Sequence, residues 1–336
     1  MNNSAENNRV LSTDVAVVGD INPDLILYGL PADLPEEREL LASSFVSTLG
    51  GSSAILAHNL ATLGTSVSLS GVIGPDVMGS FCLDRLVAAG VDTSRVRRPF
   101  EGEGTGVTVV LPNIGKRRIL TFPGSMAKLT LADLDVTYLG TARHFHISSP
   151  FLQTGLLPDI PSLLKEMKLR GLTTSIDPND VPVDEGARFF KHILPFVDIV
   201  FCTEEEFARF NPHGSGPLDF PEDHILVLKR GVDGAALYYE GQCIDLPGLT
   251  VNAVDSIGAG DSFDAGFLHQ WLREASLDEC GRFANLIAAL SVTRPGGTEA
   301  LRDAHYREQF MKENWGLSFA AEPDAVEISP PSSRHL

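Results

Sequence analysis

Gly258-Ala259-Gly260 sets three small residues directly before the carboxylate of Asp261. Without bulky side chains the backbone can turn sharply there and bring several N–H groups against an anion. The segment from Asp261 to about Glu274 reads as a helix, and a helix N-terminus adds unsatisfied donors and a partial positive charge. Asp261 therefore has two readings. One is an N-cap, since Asp is a favoured capping residue. The other is a general base beside a phosphate-sized anion site, taking a proton from an attacking hydroxyl.

Other polar groups sit where chemistry is done in open α/β sheets, just past the ends of strands. Gly19-Asp20-Ile21-Asn22-Pro23-Asp24 follows an apolar run, and Asn22 and Asp24 could offer an amide and a carboxylate to a ligand's hydroxyls. The same residues also make a good turn. Gly50 and Gly51 permit close backbone approach, and Ser52 or Ser53 could cap the helix that follows. Asp177 ends a strand-like run and reads equally as a site residue or a turn. His144 and His146 would face one way along a strand, but no third ligand accompanies them, so they read as core or pocket histidines.

The elements that must position these groups follow an alternating rhythm. Val15–Val18, Val67–Val72, His144–Ile147, Thr173–Ile176, Ile199–Phe201 and Ile225–Leu228 are short apolar runs, as expected of buried parallel strands. Helical patterns at Ser53–Leu63, Gly79–Ala89, 154–170, 186–194 and 203–210 lie between or beside them. This alternation predicts an α/β fold, a mostly parallel central sheet with helices on both faces. Two places break it. Leu25–Tyr28 and Leu40–Thr48 flank the loop Pro31–Glu39, while Gly106–Leu111 and Arg117–Phe122 flank the turn Asn113-Ile114-Gly115-Lys116. These four strands read as a small antiparallel sheet packed over one edge as a lid, shielding a reacting phosphate from water, serving as a dimerisation ribbon, or both. The division is then a body of residues 13–24, 49–103 and 123–317, a lid of 25–48 and 104–122, and disordered ends at 1–12 and 318–336.

The run from Asp255 to Phe263 resembles the D-x-x-G-A-G-D-x-F signature of the ribokinase-like (PfkB) carbohydrate kinases. The order of the earlier segments resembles the same family: strand then Asn22-x-Asp24, Gly50-Gly51 before a helix, then Gly71–Gly79. The resemblance spans roughly residues 14–315. It implies ATP-dependent phosphorylation of a sugar hydroxyl, with Asp261 as base and the Gly258, Ala259, Gly260 and Asp261 amides as an anion hole. It also implies sugar contacts at Asn22, Asp24, Gly50 and Gly51, and ATP contacts at Lys229, Gly231, Gly234, Gly258, Gly260 and Asn285. Glu206 would organise Mg2+ through water. Backbone carbonyls of Asp255, Ile257, Ser291, Arg294 and Gly296 would hold a monovalent cation such as K+. Three positions depart from the pattern. Ile55 and Ser148 stand where ribokinases carry Asn and Glu, which puts ribose itself in doubt because an apolar group cannot replace an amide that binds a hydroxyl. Thr203 replaces the Asn of N-x-x-E, offering one oxygen in place of an amide.

Composition narrows the partners. The formal charge of −18, from 44 acidic and 26 basic residues, opposes nonspecific nucleic-acid binding and attachment to anionic membranes. It leaves a nucleotide ligand open, since backbone amides and Mg2+ hold phosphates in a protein of any charge. The polar first residues lack a signal-peptide pattern, and Cys82, Cys202, Cys243 and Cys280 lie far apart, as in a reduced cytoplasmic protein. No Arg or Lys accompanies the first substrate motifs, which disfavours phosphosugars. A nucleoside kinase on the same fold is the nearest alternative, with Tyr28, Phe45 and Phe122 as a platform for the base. A non-catalytic sugar- or nucleotide-sensing protein is the alternative from another class. A dimer through the lid is expected from the resemblance.

Overall fold

The computed structural model describes residues 13–318 other than 32, 100, 101, 114, 115, 184, 213, 215, 218 and 219. Among the described residues, thirteen strands form two sheets. The larger contains β1 (Val15–Val18), β4 (Val67–Val72), β5 (Asp92–Arg97), β8 (His144–Ser148), β9 (Thr173–Asp177), β10 (Ile199–Thr203), β11 (Ile225–Lys229), β12 (Ala235–Tyr239) and β13 (Gln242–Leu246). Their order is β13-β12-β11-β10-β9-β8-β1-β4-β5. Every neighbouring pair from β11 to β5 is parallel, and only the β11–β12 and β12–β13 pairings at one edge are antiparallel.

Side chains alternate across a strand, so a run apolar at every position must have both faces covered. In β1, Val15 and Val17 join one core cluster while Ala16 and Val18 join the other. The first cluster is filled by α1 (Ser52–Thr62), α2 (Val77–Ala89), α7 (Ala259–Trp271) and α8 (Leu277–Ser291). The second is filled chiefly by α4 (Ile160–Leu169), α5 (Gly186–Ile193) and α6 (Glu204–Phe210). A short α3 (Val136–Leu139) precedes β8, and α9 (Glu299–Arg302) and α10 (Ala304–Ser318) pack against α8. The expected helix over 154–170 is shorter, two 3-10 turns at Pro150–Leu152 and Leu157–Asp159 preceding α4. Strand β5, DTSRVR, is a half-exposed edge whose polar sequence carries no buried-strand signal. No helix among the described residues is long and apolar enough to cross a membrane.

The smaller sheet contains β2 (Asn22–Tyr28), β3 (Ser44–Gly50), β6 (Val107–Asn113) and β7 (Lys116–Phe122) in the order β3-β2-β6-β7. It is not wholly antiparallel as the sequence suggested. Pairs β2–β3 and β6–β7 are antiparallel hairpins, but β2 and β6, which join the two insertions, run parallel. It also begins earlier and ends later around its first hairpin than expected: Asn22, Asp24, Leu49 and Gly50 lie in its strands. The middle of the expected turn, Ile114-Gly115, lies outside the described residues, as do the ends expected to be disordered apart from Ser318.

Candidate active site

Because β1, β8, β9, β10 and β11 are parallel, their C-terminal ends open on one edge, and the polar residues singled out above collect there. Helix α7 meets that edge with its N-terminus. The helix starts at Ala259, with Gly258 as N-cap at φ 68°, so Asp261 lies inside the first turn and is not the cap. Gly258 is required sterically as well. A Cβ there would lie 2.5 Å from the Gly297 Cα and within 3.3 Å of Ile55. The Ala259, Gly260 and Asp261 N–H groups belong to the turn whose amides lack intrahelical acceptors. Asp261 is buried, and its carboxyl is pushed up to about 7 by burial and then by the nearby Asp177 charge, against the pull of Lys229.

Beneath this turn lies a charged floor. Lys229 Nζ, at the end of β11, is 2.6 Å from Asp177 Oδ2 at the end of β9 and 3.3 Å from both carboxylate oxygens of Asp264. Burial opposes charging in this group, but the Lys229 ammonium holds Asp177 below the usual carboxylate range. Asp264 is pushed well up, by burial first and then by the Asp177 charge, against the pull of Lys229. A Cβ on Gly260 would lie 3.2 Å from the ammonium, so this glycine lets the lysine reach under the helix.

The other side is built by β2 and β3. Asn22 Nδ2 donates to Asp24 Oδ1 at 3.2 Å and to Thr108 Oγ1 at 3.1 Å. Gly50 pairs with Asn22, and a Cβ on it would fall 2.0 Å from Asp24 Oδ1. Gly51 takes φ 82° and abuts the Asp20 carbonyl, a conformation open to glycine. The serines do not cap α1. Asp20 does so from the loop after β1, accepting from the Ser52 and Ser53 N–H groups at 2.9 and 3.0 Å. Asp24 has no cation partner among these contacts. Burial, then the charges of Asp261 and Asp20, push it up to about 8.

Two of the small sheet's ties reach the loop before α7. The Tyr28 hydroxyl donates to Asp255 Oδ2, and Arg117 Nη1 donates to the Ser256 carbonyl at 3.0 Å. Asp255 in turn accepts from the N–H groups of Ile257 (2.9 Å) and Gly296 (3.1 Å), and the Val254 N–H donates to the Val292 carbonyl. Asp255, Ile257 and Gly296 are thus brought together. Ser291 and Arg294 lie nearby in sequence but use their side chains elsewhere, Ser291 on the Ala288 carbonyl and Arg294 on Asp303 and the Tyr306 ring.

Past the end of β11, Gly231 and Gly234 bracket the turn to β12. The Asn285 amide donates to the Leu246 and Pro247 carbonyls, at 3.2 Å each, and so staples α8 to the end of β13. Thr203 and Glu206 form a capping box: the Thr203 N–H donates to Glu206 Oε2 at 2.7 Å while its hydroxyl caps the Glu206 N–H. Glu206 is pushed up to about 7, by burial first and then by Asp177.

A profile of the pfkB family carbohydrate kinases matches residues 12–304. The chain belongs to that family. An ATP-dependent ribose-1-phosphate kinase from Halopiger xanaduensis is 30% identical over 298 residues, 87% of this chain and 94% of that protein. A 5-dehydro-2-deoxygluconokinase from Shouchella clausii is 28% identical over 279 residues, 77% of this chain and 84% of its own length. Two solved structures share the fold. Adenosine kinase from Sinorhizobium meliloti has a TM-score of 0.77 at 19% identity, covering 88% of this chain and 99% of that one. Arabidopsis thaliana ribokinase complexed with ribose and ATP has a TM-score of 0.71 at 22% identity, covering 89% and 99%. The protein is a carbohydrate kinase, a phosphotransferase acting on a sugar hydroxyl.

In this pfkB-family kinase the departures have local explanations. Ile55 fills the space against Gly258 and Gly297, and Ser148 donates to or accepts from His146 Nε2 at 2.7 Å. His144 and His146 are buried in a chain of hydroxyl contacts and held down to about 3 by burial, so they are neutral core groups. Phe45 pairs with Leu27 and Phe122 with Val107, on the face opposite Asp24 and Tyr28. Both are more than half exposed there and supply no platform for a nucleoside base. Sequence reasoning missed Asp264, although three residues after Asp261 on a helix means the same face. It also missed Asn179, which adopts φ 63° and bridges the Ser52 and Ser149 hydroxyls.

Proposed function

We propose that this kinase moves the γ-phosphoryl group of ATP to a hydroxyl of a small sugar or sugar acid, with Asp261 as general base. The observation that carries the reading is the buried Asp261 carboxyl in the first turn of α7, beside the Gly260 N–H and its own, which the helix geometry leaves without intrahelical acceptors. Asp261 takes the hydroxyl proton as the sugar oxygen bonds to phosphorus and the bond to the β-phosphate oxygen breaks. The Gly258–Asp261 backbone stabilises the charge gathered on the transferring oxygens. Asn22, Asp24 and the Gly50-Gly51 backbone orient the sugar. Near neutral pH Asp24 is protonated in part and can donate a hydrogen bond as well as accept one.

The donor set fits a nucleotide that arrives with its own cation. Among the described residues no three His, Cys, Asp or Glu side chains are grouped to hold a metal alone, yet the edge is crowded with carboxylates. Mg2+ bound with the phosphates would offset their charge, with Glu206 Oε1 free of the capping role and able to reach its water shell. Lys229, Gly231, Gly234 and Asn285 would line the nucleotide. The Asp255, Ile257, Ser291, Arg294 and Gly296 carbonyls would take K+, which predicts higher activity in K+ than in choline. Ribose 1-phosphate, 5-dehydro-2-deoxygluconate and fructose are named for relatives, and hydroxyl groups are common to all three. We also place the protein in the cytoplasm, where its buried free cysteines and exposed Cys243 stay reduced. A homodimer through the lid is supported by its outward face, where Phe45, Leu120 and Phe122 are more than half exposed. Light scattering of Leu120→Asp against the parent chain tests it.

The deciding measurement is Asp261→Asn. A general base contributes about 10²–10⁴ in rate, so kcat falls by about that factor while ATP binding stays near wild type. The acceptor comes from an ADP-release screen over fructose, ribose, ribose 1-phosphate, 2-keto-3-deoxygluconate and adenosine. A kcat within a few-fold of wild type would end the base assignment.

A further inference from the structure

We propose that Lys229 is a positioning residue: gripped by Asp177 and Asp264, it keeps the neighbouring Asp261 carboxylate ionised and ready to accept a proton. This inference rests on Asp261 being the base, and it gives Lys229 a role other than meeting phosphates.

The placement of the lysine is the first reason. A helix N-terminus carries partial positive charge, and an ammonium under it is repelled. Lys229 Nζ nevertheless lies beneath the first turn of α7, within reach of where a Gly260 side chain would be. Two carboxylates hold it there, one from the sheet at 2.6 Å and one from α7 itself at 3.3 Å. Its side chain is 11% exposed, and those of Asp177 and Asp264 are 3% and 1% exposed, so water screens these charges little.

The charge count is the second reason. Among the described residues, Asp177 from β9, Asp20 from the loop after β1, Asp24 from the lid and Asp264 from its own helix act on Asp261, against the cation Lys229. The Lys229 ammonium offsets the ionised Asp177 beside it at 2.6 Å, and Asp261 can carry a negative charge above the pair. Without the ammonium, the floor carries a net negative charge below Asp261, and burial favours the protonated acid, which cannot act as a base. A purely structural lysine would predict loss of stability with no change in the Asp261 titration.

The test follows the Asp261 carboxyl by 13C NMR in the full-length, ligand-free chain labelled at aspartate, the resonance being assigned by its loss in Asp261→Asn. In Lys229→Met the midpoint rises by about one to three pH units, the range expected for losing a nearby opposite charge. In Lys229→Arg it stays within about half a unit of wild type, and in Asp177→Asn it falls, because a negative neighbour is gone while the ammonium remains. An unchanged midpoint in Lys229→Met overturns the proposal. Should Lys229→Met fail to fold, the direction in Asp177→Asn decides alone, a fall supporting the proposal and no shift overturning it. The outcome is separable from the base assignment, because the NMR reads ionisation and the Asp261→Asn kinetics read the chemical role.

Discussion

Asp177 and Asp24 are the same residue type, buried to nearly the same extent, on opposite sides of one site. Asp177 faces an ammonium at 2.6 Å and is held below the ordinary carboxylate range. Asp24 faces the Asn22 amide at 3.2 Å and other carboxylates, and is pushed up to about 8. Burial enters both with the same sign, so the difference comes from the neighbours. The floor, set on the strand ends of the body, has a cation and keeps its charge fixed. The lid side has none among these contacts, and under the proposed function its carboxylate exchanges protons and hydrogen bonds with a polyhydroxylated ligand. Changes on the lid side are therefore expected to alter sugar affinity and the pH dependence of stability. Changes on the floor are expected to alter the ionisation of the base.

The largest break in that contrast is expected from Gly50→Ala. The new methyl would meet the Asp24 carboxylate at 2.0 Å. The obstruction is the end of a side chain that can rotate, so the fold survives and Asp24 swings away from the sugar. Loss of a buried charged or polar contact of this kind costs roughly 2–3 kcal/mol, or about 100-fold in kcat/KM for the sugar. Steady-state kinetics on the folded variant check this, and an unchanged sugar KM would show that Asp24 is not a sugar ligand.

Asp24→Asn comes next, read as stability. A carboxyl whose folded pKa is raised contributes stability that is full below its unfolded pKa and is lost as pH rises through the folded one. For Asp24 that window runs from 3.8 to about 8. Removing the charge makes the variant more stable than the parent at pH 8, by on the order of several kcal/mol, the gain shrinking toward pH 4. Thermal unfolding across that range measures it. A difference independent of pH would mean that Asp24 already has a partner for its charge.

How much of this was legible follows from how local each signal is. The body strands were readable because burial on both faces demands continuous apolar runs, as in Val15–Val18 and Val67–Val72. The edge strand Asp92–Arg97 was not, since one side meets solvent and its sequence is polar. The lid strands were readable, but the parallel pairing of β2 with β6 joins residues more than eighty positions apart and leaves no local mark. At the site, Gly258–Asp261 announces itself because a tight turn into a helix needs small residues in sequence. The Asp177–Lys229–Asp264 contact is assembled from three separate elements, and no spacing encodes it. Asp20 illustrates the same limit, capping a helix from another loop while the adjacent serines looked sufficient.

The smallest effect separates the lid from the floor most cleanly. Tyr28→Phe removes one hydroxyl, the donor to Asp255, and leaves the ring and every floor residue in place. Asp255 keeps the Ile257 and Gly296 N–H groups, so the loop before α7 retains its shape while the lid loses one of its ties, Arg117 to Ser256 remaining. A half-buried hydrogen bond to a carboxylate contributes about 1 kcal/mol net, which corresponds to about a fivefold rise in sugar KM. The kcat at saturating sugar and its acid limb should stay where they are, because the charges around Asp261 are untouched. If kcat fell with KM constant, or the acid limb moved, the lid would be acting on the base directly and the division between the two sides of the site would have to be abandoned.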